Sequence, residues 1–348
     1  MESSRRVAPI AVGVVAAVLA VWAVVALTDQ RDPAETVEEF LTAVADKDVE
    51  GALALVTRYG YGVPYGEEAT FLAPEAISDG WWVVSAEEID REYSSTARVK
   101  AVIAGPDGTA SGVFSVQEDH DEWLVEDPFA RVRFPASPLE YVQVNGKIVP
   151  RGEAFASYAL FPGTYRFFQS VPGVVEAGKT DAVVVFPAEE SRQDREIVPS
   201  ALTASKNAAA KAEKALRQRI DECTDFATEA PYGSCPFATD GEVDTTDGKR
   251  VDELHGLKWT VKTYPRVALT DDRTSEFRPG FALKATTPGA VTLTGAGEDT
   301  EGRQTTFTIT CDMDLTGITA TLTATGDAEL ATTSPAPPAQ FDTCRREA

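Results

Sequence analysis

Apolar and polar positions along this chain follow three patterns in turn: an uncharged block, a 3.6-residue period and a two-residue period. The uncharged block comes first, at residues 7–27, bounded by Val7 and Leu27. As a helix it reaches about 31 Å, which matches the ~30 Å hydrocarbon core of a bilayer. Arg5 and Arg6 precede it, and Asp29, Arg31 and Asp32 follow. The block therefore predicts an N-terminal transmembrane helix, with residues 1–6 in the cytoplasm and the remainder outside. A cleaved secretory signal is the competing reading. The block is longer than the usual ~7–15-residue apolar core, and Ala23 and Ala26 are its nearest approach to a cleavage motif.

The helical period begins directly afterwards. Asp32, Pro33 and Glu35 form a capping-box start, and Val37, Phe40, Leu41 and Val44 follow on one face. A second short helix carries Val49, Ala52, Leu53 and Val56. The pattern then changes to strands at residues 81–84, 97–104, 111–118 and 122–126, with turns at residues 105–108 and 119–121. Past the stiff Phe134–Pro138 linker, residues 141–144 and 147–149 flank Asn145-Gly146, the dipeptide of a tight hairpin. Further strands are expected at residues 159–169 and 181–186. A long helix is expected at residues 200–223, with Leu202, Ser205, Ala209, Ala212, Leu216 and Ile220 on one stripe. Strands close the chain at residues 258–269, 281–285, 290–294, 305–313 and 318–324.

Two resemblances rest on these segments. DPAETVEEFLTAVADKDVEGALALV, with strands ending in DEWLVEDPF, resembles the NTF2-like (cystatin-like cone) domains found just outside the membrane in many Gram-positive envelope proteins. It covers residues 32–133. VQVNGKIV followed by LFPGTYRF is similar to small all-β PEGA-type modules and to repeats of TcaA-like membrane proteins, over residues 138–188. Such modules imply surface-exposed pieces without chemistry of their own. Residues 199–348 repeat the order of helix then strands, which suggests a second NTF2-like fold. The fold class expected is thus α+β: a transmembrane helix, a cone domain, a small β module, and a helix-plus-antiparallel-sheet domain.

Charge and cysteine usage narrow the partners. The chain has 348 residues and a formal net charge of −23. A surface of that sign repels nucleic acid, anionic lipid and phosphate polymers, and attracts cations and basic peptides. Lys206, Lys211, Lys214 and Arg217 form a basic cluster on the long helix, best read as a solvated face. Cys223, Cys235, Cys311 and Cys344 all lie on the outer side, where two disulfides are the default. Three pairings are open. The local one, Cys223–Cys235 with Cys311–Cys344, is favoured.

Catalytic signatures are absent from the sequence. There is no nucleophile elbow, H-E-x-x-H, phosphate-binding glycine loop or calcium-loop spacing, and no cofactor is implied. His120, within Glu118-Asp-His-Asp-Glu122, and His255 are weak metal or catalytic candidates, and no metal site is assigned. The candidate ligand-binding residues are aromatics: Tyr59, Tyr61, Tyr65, Trp81 and Trp82, interleaved with glycines that let a ligand approach the backbone. The function expected is a membrane-anchored extracytoplasmic scaffold or binding module, non-enzymatic, recognising an envelope protein or a wall fragment. The alternative is a carboxylate-dependent hydrolase drawing on Glu38, Glu39 or Asp90.

Overall fold

The computed structural model describes residues 32–58, 62–153, 156–179, 181–187, 194–226, 235–239, 241–245, 248–272, 280–332 and 344. They form two compact units. The first takes its described residues from 32–131, 158–165 and 184–194, and the second from 132–157, 166–183 and 195–344.

In the first unit, helix α1 (Pro33–Ala45) starts where the sequence says it should. Asp32 Oδ1 accepts from Glu35 N at 2.8 Å, and Glu35 Oε2 accepts from Asp32 N at 3.2 Å. This reciprocal cap satisfies two N–H groups that an uncapped helix leaves unpaired. Helix α2 (Val49–Ala54) is capped by Asp48. Four antiparallel strands then form a sheet in simple order: β1 (Trp82–Tyr93), β2 (Thr96–Gly105), β3 (Gly108–Asp119) and β4 (Glu122–Glu126). The β3–β4 turn has two residues, His120 and Asp121, both at positive φ, as a tight hairpin requires.

One face of this sheet is apolar because the period is two. Ala97, Val99, Ala101 and Ile103 of β2 are buried, as are Phe114 and Val116 of β3, while their neighbours in the chain are less so. That face meets Val37, Phe40, Leu41 and Val44 of α1. Phe40 lies 6.3 Å from the Phe114 ring and 6.2 Å from Phe161. Phe186 packs edge-on to Phe114 at 6.1 Å, directly over Gly112. A Cβ at Gly112 would come within 2.4 Å of the Phe186 ring, so the close approach requires glycine there.

The second unit opens with the hairpin Tyr141–Val144 and Lys147–Pro150 around Asn145, whose Oδ1 also accepts from Arg166 N. Helix α3 (Lys206–Thr224) begins at a Ser205 cap and buries Ala208, Ala212, Leu216, Ile220 and Cys223. Two four-stranded antiparallel sheets follow. One runs Val243–Asp244, Arg250–Thr263, Ala290–Asp299, Gln304–Asp312; the other runs Arg266–Asp272, Gly280–Thr287, Ile318–Leu322, Ala328–Thr332. Residues of both sheets and of α3 share one core, among them Trp259, Leu293, Phe307, Leu283 and Ala320. Cys223–Cys235 and Cys311–Cys344 are disulfides, the local pairing, and Cys223, Cys311 and Cys344 are buried within that core.

Three expectations need correction. The chain is not α+β: strand makes up 49% of the described residues and helix 17%, so the architecture is predominantly β. The balance shifts because β1 runs on through its charged half and because the strands between Val243 and Thr332 form two four-stranded sheets rather than one. A cone-type reading of either unit is therefore not retained. Secondly, the long helix starts at Lys206, since Leu202–Ala204 is a strand and Ser205 is the cap; its stripe passes through Ala208 rather than Ala209. Thirdly, the strand expected at residues 258–269 is two strands, broken at Pro265, which cannot donate to a ladder. The uncharged block at residues 7–27 lies outside the described residues. Among the described residues, no helix is long and apolar enough to cross a membrane. Residues 138–188, expected as one β module, are divided between the two units.

Candidate functional site

Strand β1 is an edge of the first sheet. It pairs with β2 alone, and among the described residues no strand adds to its other side. An edge of this kind presents unpaired N–H and C=O groups to any chain that can lie alongside. Most edges are blunted by charge, and the far half of β1 is: Glu87, Glu88, Asp90 and Arg91 are all exposed there. The near half is not. Trp82 is 57% exposed and Val84 55%, and Ile89 and Tyr93 are exposed further along. Four of the eight exposed large hydrophobics among the described residues thus sit on one strand, which makes a patch rather than the scatter normal for a surface.

The register explains how β1 holds its shape. Trp82 lies opposite Ala104 and Val83 opposite Ile103; a bulge follows at Val84, and Ser85 to Glu88 then pair regularly with Val102 to Val99. A bulge adds one residue on the edge side and strengthens the local twist. Val83 turns toward the core, while Trp82 and Val84 stay outside. Glu87 faces Lys100 across the strands, and Asp90 faces Arg98. Arg91 is engaged elsewhere: its Nε and Nη2 donate to Glu88 at 2.8 and 2.6 Å, and its guanidinium lies 5.3 Å from the Trp123 ring. The hydrogen bond from Arg91 holds the Glu88 carboxyl below the ordinary glutamate value.

The sequence candidates divide. Trp82 is on the exposed edge. Trp81, next to it, points inward into the core, against Gly163 and Gly105, with its indole N–H unpartnered. Tyr65 is 87% exposed. Tyr59 and Tyr61 lie outside the described residues. Trp81, the residue before β1, is buried while Trp82 is exposed, so the two do not share a ligand surface. The functional residues that the sequence reading missed are Val84, Ile89 and Tyr93, because it ended the strand at Val84. Spacing does not announce the longer strand: a register shift between Glu88 and Asp90 is needed to bring both Glu87 and Asp90 opposite Lys100 and Arg98.

Among the described residues, the remaining sequence candidates are not brought together. Glu38, Glu39 and Asp90 are exposed, and the interior of the first unit is filled by Phe40, Phe114, Phe129 and Phe161 rather than by a polar cavity. His120 is exposed at its hairpin tip, 3.7 Å from Asp119, and His255 is exposed with Nδ1 3.0 Å from Glu253 O. Among the described residues, no group of three or more His, Cys, Asp and Glu side chains has the placement to hold a metal ion. Burial pushes the Tyr141 hydroxyl up to about 12, which leaves it neutral over the physiological range. No family model, curated protein or solved structure matches this chain.

Proposed function

We propose that this chain is a non-enzymatic binding module of the cell envelope. It works outside the membrane and recognises another envelope protein through the free edge of β1. The observation that carries the reading is an edge strand whose Trp82 and Val84 are more than half exposed beside a backbone edge that no strand among the described residues pairs. Main-chain pairing along such an edge gives affinity, and the side chains that flank it give selectivity. The two disulfides support an oxidising compartment. The uncharged run at residues 7–27 supports attachment to the membrane, and the strongly acidic composition argues against nucleic acid as partner.

The test is a photo-crosslinking amino acid placed at Val84 in intact cells, with Thr109, an exposed residue at the start of β3, as the control position. The expected result is a discrete protein adduct at position 84 that is absent at 109. An adduct that disappears on digestion of the cell wall, rather than of protein, would point to a wall fragment instead. Equal labelling at both positions, or none at 84, would overturn the reading.

A further inference from the structure

Resting on that reading, we propose the chemistry of what docks: an extended peptide segment that adds to β1 as a fifth strand, apolar where it passes Trp82 and Val84 and cationic where it passes Glu87 and Asp90. Two features of β1 carry this. First, its two halves differ in kind. Residues 82–84 present exposed aromatic and aliphatic surface, and residues 87–90 present carboxylates on the same edge. Second, two of those carboxylates are uncommitted. Glu88 is occupied by Arg91, but Glu87 and Asp90 form no ion pair among the described residues, although Lys100 and Arg98 stand opposite them in the ladder. An incoming Lys or Arg on the open side would give each of them a second neighbour of opposite sign. The formal charge of −23 on the whole chain draws a cationic segment in the same sense.

A second copy of this chain is the other obvious occupant of a free edge, and the same residues disfavour it. Two β1 strands meeting edge to edge, antiparallel about their middles, would set Glu87 of one against Glu87 of the other, or Glu88 against Glu88, because residues directly opposite share a face. Like charges directly opposite each other destabilise a strand pair. The acidic centre of β1 therefore guards against self-pairing while admitting a basic strand, as edge charges do elsewhere.

The experiment uses the full-length protein in detergent micelles and short dye-labelled peptides, read by fluorescence anisotropy. Each peptide alternates valine and threonine in one half and carries two lysines, two glutamines or two glutamates in the other; each is made in both sequence directions. The lysine peptide is expected to bind about tenfold more tightly than the glutamate peptide, two cross-strand charge contacts being lost and reversed. E87Q/D90N should bring the three peptides together without weakening the glutamine peptide. N-methylating alternate residues along one edge of the lysine peptide should abolish binding, and along the other edge should not. If Trp82→Ala abolishes binding but lysine and glutamate peptides bind alike, the cationic inference is overturned while docking at β1 stands. If no peptide binds, or if N-methylation has no effect, strand addition is overturned; crosslinking at Val84 then judges the edge reading separately.

Discussion

Removal of the Cys311–Cys344 bridge is expected to cost more stability than removal of Cys223–Cys235, by an amount that the chain itself sets. The bridges close loops of sequence separation 33 and 12. A cross-link restricts the unfolded chain, and the loop-closure relation gives about 3.7 kcal/mol for the longer loop and about 2.8 kcal/mol for the shorter. The difference, about 0.9 kcal/mol, is the more robust figure because common errors in the reference state cancel. Packing acts in the same direction. Cys311 and Cys344 are both buried in the core, whereas Cys235 is only partly so. The variants Cys311→Ala/Cys344→Ala and Cys223→Ala/Cys235→Ala are compared by urea unfolding, followed by tryptophan fluorescence. Trp259, buried 4.9 Å from Phe237, reports on this core. Equal losses, or a larger loss for the shorter loop, would refute the reasoning and point to structure retained in the unfolded chain.

Two further outcomes are expected. Gly112→Ala should destabilise the first unit by about 1–3 kcal/mol, the usual cost of overpacking, and Gly112→Ala combined with Phe186→Leu should recover part of the loss; thermal unfolding of the two variants checks this. Asp299 accepts from the Arg303 backbone N–H, the Arg303 guanidinium and the Glu301 N–H, and these hold its carboxyl below the ordinary aspartate value. A depressed folded-state value contributes stability above the unfolded-state value and loses it as pH falls through the folded one. Asp299→Asn should therefore be less stable than the parent near neutrality, and the gap should close in acid. A gap that is constant with pH across urea titrations would contradict the assignment.

How far the sequence carries depends on where each element's information resides. Helix α1 is legible because its cap and stripe are local: Asp32, Pro33 and Glu35 announce it, and Phe40 and Val44 bury its face. The β3–β4 and Asn145 hairpins are legible for the same reason, since turn chemistry is written in two residues. The disulfide pairing follows from proximity in the chain. What stayed hidden is what tertiary context decides. The charged half of β1 has no alternation to mark it, because its residues from Glu87 to Arg91 are exposed on both faces of the strand instead of dividing between core and solvent. Strand Leu202–Ala204 looked like the first turn of α3 because Leu202 falls on the helical stripe, yet its backbone pairs with Val175–Ala177. Trp81 and Trp82 read as one aromatic pair, and only the fold separates them, burying the first and exposing the second.

The free edge of β1 is tested most directly by residue-resolved amide hydrogen exchange on the unliganded protein. Amides of an edge strand alternate between those bonded to the neighbouring strand and those facing outward. Between Ser85 and Glu88, where the register is regular, slow and fast amides should alternate, and the fast ones should slow when a strand-forming peptide is added. Uniform protection of all these amides in the protein alone would mean that the edge is already covered, and β1 would not be a docking strand.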